Sequence, residues 1–324
     1  MSSIFRLEFD PKPLEHKIGV GDKLMLMGSC FTEHIYDRLL YFKFKSLQNP
    51  HGILFNPFSI FTALHHYADQ KSITEDELFL EQGIWRHWHF HSSLSQTEKS
   101  NTCDLMNASI QSGHQFLRSA DWLIVTLGSS YVYHYENSYP VSNCHKVPLA
   151  KFSKKLMLPE EIIEQFEAVH AKVKLINPTL KWMFTISPVR HLRDGFVENN
   201  RSKAILIHAV DKICGAHPDI VYFPSYELIL DDLRDYRFYA EDMVHPNYLA
   251  TRYVWDKLVQ SGFDGKSREV MKELEQINMA FHHKPMHPDS DEHQKFREKF
   301  KAVISDLKSR YPDMDLDSEY SHFC

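Results

Sequence analysis

The 324-residue chain is 43% hydrophobic and 25% charged, with a net charge of -6, which is the balance of a globular protein long enough to bury a sizeable core. It lacks the basic field of a nucleic-acid or anionic-membrane binder, and no stretch approaches the length of a membrane span. The five cysteines (Cys30, Cys103, Cys144, Cys214, Cys324) are odd in number and include no C-x-x-C pair, a pattern of reduced thiols and not of a disulfide framework or zinc knuckle. The opening MSSIFRLEFDPKP has no apolar core of a signal peptide. A cytoplasmic protein is expected.

In chain order, Lys23 to Met27 is a short apolar run bounded by Gly-Asp and Gly-Ser, which predicts a buried strand. Phe31, Ile35 and Leu39 then recur at helical spacing. Gly28-Ser29-Cys30 therefore lies where a strand hands over to a helix, the edge at which open α/β sheets bind ligands. A serine there is either a helix N-cap or a nucleophile beside an oxyanion site. Phe42 to Leu47 reads as a second strand, followed by the turn cluster Asn49-Pro50-His51-Gly52. Asn56-Pro57 is an N-cap and N1 pair for a helix through about Tyr67.

Ile84 to His91 alternates in strand fashion and would place His87, His89 and His91 on one face. That spacing suits a metal site, yet no partner carboxylate is obvious beside it, so no metal is expected. His91, next to Ser92-Ser93, is instead a candidate for the cleft wall. A helix at Leu105 to Arg118 leads to the strand Asp121 to Leu127 and then Gly128-Ser129-Ser130, with a hairpin over Tyr131 to Val141. Pro159 starts a helix to Ile176, with acids in its first turn. A strand at Trp182 to Ile186, a loop at Ser187 to Asn200, a helix at Arg201 to Cys214 and a strand at Ile220 to Phe223 follow. Pro246 opens a helix through about Val259.

Strands separated by helices of this length predict βαβ units and a mostly parallel sheet in a three-layer α/β/α sandwich of flavodoxin-like type. We expect it to occupy residues 1–262. Residues 263–324 change character: Ser267 to Phe281 and Asp289 to Arg310 form two charged amphipathic helices, the second with an Asp289/Glu292 capping box and an apolar face of Phe296, Phe300, Val303 and Leu307. A helical extension packed on the main domain or on a partner is expected.

The most chemical segment is Glu241 to Asn247, EDMVHPN. Asp242 and His245 are spaced so that a carboxylate can hold an imidazole by one nitrogen and leave the other free to take a proton. Following the last strand, the pair would share a rim with Ser29. Arg190 and His191, in the loop after Ile186, are candidates for binding a substrate carboxylate, phosphate or sugar.

The order of an early Ser and a late D-x-x-H, with glycine turns between, resembles the SGNH (GDSL-like) hydrolases. GSCFTE (Gly28 to Glu33) looks like the signature of the GSCFA domain family, a branch of that superfamily. NPHGILFNP (Asn49 to Pro57), TLGSSYVY (Thr126 to Tyr133), SPVRHLRDGFVENNRSK (Ser187 to Lys203) and AEDMVHPN (Ala240 to Asn247) extend the match over most of Lys23 to Val259. The resemblance implies Ser29 as nucleophile, His245 as general base and Asp242 as its orienting carboxylate. It implies the Ser29 and Gly52 amides as oxyanion donors, and Ser130 in the place of a superfamily asparagine, with Asn56 a further candidate. Cys30, beside the serine, is read as a small packing residue.

The activity implied is hydrolysis of an ester of a small molecule or carbohydrate, with no cofactor, no nucleic acid and no membrane partner. An acyltransferase using the same triad, or a catalytically silent ligand-binding module, are the alternatives.

Overall fold

The computed structural model describes residues 7–324, so the first six residues of the stretch read for a leader lie outside it. Its centre is a five-stranded sheet of β1 (Lys23–Gly28), β2 (Lys45–Gln48), β5 (Trp122–Leu127), β9 (Lys181–Ile186) and β10 (Ile220–Tyr222). The spatial order is β2-β1-β5-β9-β10 and every pairing is parallel. That is the doubly wound order in which the chain reverses direction at β1, and ligands bind beside that reversal.

Alternation along the strands builds two cores. Leu24 and Leu26 of β1, with Trp122 and Ile124 of β5, face α1 (Phe31–Tyr41) and α7 (Tyr248–Gly262). Met25, Met27, Leu123, Val125 and Leu127 point the other way, as the period of two requires. They meet α2 (Pro57–Asp69), α4 (Pro159–Ile176) and α5 (Phe196–Ala216). The expected three-layer sandwich is what the chain forms.

Two insertions lie over the carboxyl edge. The β3 (Phe79–Glu81) and β4 (Ile84–Arg86) hairpin packs with α3 (Lys99–Leu117). A three-stranded sheet of β6 (Tyr131–Tyr135), β7 (Tyr139–Val141) and β8 (Phe152–Leu156) contains the expected hairpin plus one more strand. Lys154 of β8 pairs with Asp194, tying this sheet to the loop after β9.

The Ile84 to His91 reading is corrected. The strand stops at Arg86 and the next residues turn, because His87 and His89 are drawn into a buried histidine cluster. Phe42 and Phe44 are buried connectors and not strand residues. The helix predicted from Arg201 begins one and a half turns earlier, at Phe196, after Gly195 at φ +85°.

Beyond α6 (Ser225–Glu227) and α7, the chain forms α8 (Gly265–Phe281), α9 (Asp291–Arg310) and α10 (Asp317–His322). The capping box at Asp289 does not form; Ser290 is the N-cap and accepts from the His293 amide at 3.2 Å. Ile304, Leu307, Met314, Leu316 and Phe323 enter the same apolar core as Phe42 and Trp255. The extension is therefore packed on the main body. No helix among the described residues is long and apolar enough to cross a membrane.

Candidate active site

Ser29 follows directly on β1. Gly28 has φ +145°, and a Cβ there would sit 2.3 Å from the Thr126 carbonyl oxygen; only glycine lets β1 end so close to β5. Cys30 occupies the N-cap position of α1 without a side-chain cap bond. The capping alternative for Ser29 is thereby removed: its hydroxyl is buried and has no hydrogen-bond partner. Burial and the neighbouring Glu33 push the Cys30 thiol up, away from the thiolate a nucleophile needs.

Asp242 and His245 are held together by their own loop. The Asp242 Oδ2 accepts from His245 Nδ1 at 2.6 Å, while Oδ1 accepts the backbone amides of Val244 and His245, each at 2.9 Å. Met243 takes φ +58° to close this turn, and a bridge between Tyr239 and Pro246 pins its ends. The amides and imidazole hold the Asp242 carboxyl down at about 2, the response of a carboxylate accepting several bonds. With Nδ1 bonded to the carboxylate, His245 Nε2 is left as proton acceptor. Both side chains are about half exposed. His245 acts electrostatically on His34 of α1 and on His191. Ser29 and His245 share no hydrogen bond.

The oxyanion donors depart from expectation. The Gly52 amide donates to the Asn49 carbonyl at 2.7 Å, closing its own turn, and the Ser29 amide donates to the Thr126 carbonyl at 3.2 Å. Ser130 is fully buried and bonded to Ser202, through its amide at 2.8 Å and its hydroxyl at 3.1 Å. It faces α5 and not the cleft. Asn56 caps α2, its Oδ1 accepting from the Ser59 amide at 2.8 Å. Sequence reasoning missed Asn49, whose Oδ1 accepts from the Gly28 amide at 2.8 Å while its Nδ2 is buried without a partner. The available signal was its place in the turn cluster Asn49-Pro50-His51-Gly52, where Asn tolerates a positive φ, here +40°.

His91 packs against the Gly52 turn. A Cβ on Gly52 would meet the His91 Cβ at 2.2 Å, and Glu33 is near enough to oppose the lowering of His91 by burial. His191 stacks on Phe55 with ring centroids 5.0 Å apart, and burial with Lys203 lowers it to about 4. Arg190 lines a cleft of about 610 Å³ with Asp242, Met243, Tyr236 and Tyr239. His87 and His89 are elsewhere, packed with His51 and His66.

The sequence profile of the GSCFA family matches residues 23–258, and that of the C-terminal domain of GSCFA domain proteins matches 274–324. The chain belongs to the GSCFA family. Among curated proteins there is no match. Similar solved structures include a carbohydrate esterase family 3 protein from Talaromyces cellulolyticus (10% identity, TM-score 0.35, 78% of this chain and 99% of that one). Another is a Clostridium thermocellum family 3 carbohydrate esterase (8%, TM-score 0.33, 78% and 98%).

In this GSCFA protein the segment ENNRSK does more than its polarity suggests. Asn199, Ser202 and Lys203 fall at i, i+3 and i+4 on one face of α5 and are all buried. Asn199 accepts the His191 amide at 3.0 Å, and Ser202 holds Ser130. Lys203 donates to the Gly128 and Ser187 carbonyls, both at 2.6 Å. The lysine thus fastens the carboxyl ends of β5 and β9 beneath the rim. Desolvation brings it down to about 7. Lys203→Met would leave two buried carbonyls unpaired and should cost about 2–4 kcal/mol, read as a lower urea midpoint. An unchanged midpoint would show that the carbonyls find water instead.

Proposed function

We propose that this GSCFA protein is a serine hydrolase of carboxylic esters, with Ser29 as nucleophile, His245 as general base and Asp242 as the carboxylate that orients it. The observation that carries the reading is the Asp242–His245 bond, preset at 2.6 Å in a closed turn; the buried Ser29 hydroxyl, which has no hydrogen-bond partner, supports it. His245 Nε2 takes the Ser29 proton as Oγ bonds to the ester carbonyl carbon. The tetrahedral adduct then expels the alcohol, which leaves with that proton. Water, deprotonated by the same nitrogen, hydrolyses the acyl-enzyme and frees Ser29. Catalytic hydrogen bonds are commonly long before substrate arrives, so the absence of a Ser29–His245 hydrogen bond is compatible with this role. Asn49 Nδ2 is the candidate donor to the developing oxyanion, being the buried donor beside Gly28 with no other partner. The substrate class is an acylated carbohydrate or other small ester, with the cleft lined by Arg190 and Asp242 as the space beside the pair for its remote part.

Labelling with a fluorophosphonate tests the assignment. One adduct on Ser29, absent in Ser29→Ala, is expected; a folded protein that takes no label removes the hydrolase reading. The outcome matters because one observation favours a silent ligand-binding module: the Gly52 and Ser29 amides already donate to backbone carbonyls. A ligand bound at this rim by an unlabelled protein would support that module.

A further inference from the structure

At the opposite, amino-terminal edge of the sheet, a second cluster of side chains takes no part in this chemistry. Glu167 and His170 lie three residues apart on α4 and so share a face. His217 caps the carboxyl end of α5, its amide bonded to the Ile213 carbonyl at 3.1 Å. Its Nε2 lies 2.7 Å from Glu167 Oε1. The His170 and His217 ring centroids are 4.7 Å apart at 70°. The donor atoms of the three residues all fall within 4.8 Å of one another. Among the described residues this is the one trio of His, Cys, Asp or Glu side chains so gathered.

We propose that Glu167, His170 and His217 form a zinc site that clips α4 to the end of α5. Two imidazoles and one carboxylate are a frequent zinc ligand set, and bonds of about 2.0–2.1 Å require donor atoms roughly 3.3 Å apart in a tetrahedron. The three donor atoms already lie within 4.8 Å of one another, and the ion would replace the Glu167–His217 contact. His170 is already oriented, buried and stacked on Phe166 at 5.2 Å with Trp182 at 5.8 Å behind it. Glu167 is exposed, giving the ion a way in and leaving the fourth position to water. The location, far from Ser29, makes this a structural clip and not part of the ester chemistry. The four histidines His51, His66, His87 and His89 are a poorer cage, because His51 bonds His66 and His89 bonds Tyr139.

The test is zinc titration of the full chain against a chromophoric chelator, together with Tm in zinc and in EDTA. One equivalent bound per chain and a higher Tm in zinc are expected. The double variant His170→Gln/His217→Gln should lose both. Should that variant fail to fold, Glu167→Gln, at an exposed position, should weaken binding at least tenfold. No bound equivalent in the native chain overturns the proposal. So does an equivalent that survives in the variants, because the zinc then sits elsewhere, for instance at His282, His283 and His287. None of these readouts depends on esterase activity.

Discussion

His245→Ala is expected to lower kcat for hydrolysis of a simple aryl ester by about five orders of magnitude, with KM little changed. In serine hydrolases the base acts as a unit with its nucleophile, and removing either costs nearly the whole covalent route. Asp242→Asn should cost about four orders, because an amide in place of the carboxylate favours the wrong imidazole tautomer. In this chain the reason is concrete: Asp242 accepts His245 Nδ1 and two amides in one turn. The His245 variant should be the worse of the two. Stopped assays with active-site titration check this; losses below tenfold in both variants would take the pair out of the mechanism. Because Asp242 is held at about 2, it stays ionised throughout the working range. Any acid limb of the pH–rate profile must come from another group.

Acid should unfold this protein unusually early. His66 and His87 are lowered to about 3 and His89 to about 4, each chiefly by burial. Above pH 6.5 neither the folded nor the unfolded chain protonates these rings, so they leave stability untouched. Below 6.5 the unfolded chain takes up protons that the native cluster refuses, and stability falls until the folded pKa values are reached. Three such groups together cost on the order of 4 kcal/mol per pH unit. Lys71 adds to the repulsion, and Glu77, paired with it at 2.7 Å, offsets part of it near His87. Urea midpoints measured from pH 7 to 4.5 should drop steeply below 6.5. A flat profile would mean that the rings find water or a counter-charge when protonated.

Much of this was legible in the sequence because local and global signals agree there. Leu24 to Gly28 and Trp122 to Leu127 are runs apolar but for Thr126, as strands buried on both faces tend to be, and Asn56-Pro57 caps α2 as its chemistry demands. D-x-x-H was readable because the pairing is made within one turn. The oxyanion site was not, since the fate of the Gly52 and Ser29 amides depends on carbonyls that only the folded backbone brings near. Ser130 was misplaced for a related reason: its partner, Ser202, lies 72 residues further along. Ile84 to His91 misled because aromatics and histidines alternate in a turn as readily as in a strand. The face of α5 that bears Lys203 was hidden by placing the helix start at Arg201, beyond Asn199. The π-helical stretch Leu228–Leu233 has no periodicity a sequence reader would test for.

The shared core of the C-terminal helices has a consequence for synthesis. Phe323 and Leu316 belong to the same apolar cluster as Phe31, Leu39 and Trp255, so the core that α1 joins is not complete until Phe323 has been synthesised. During elongation part of the apolar face shared by α1 and α7 stays bare. The nascent chain therefore keeps part of its main apolar core uncovered until α9 and α10 are made, and chaperones have reason to hold it.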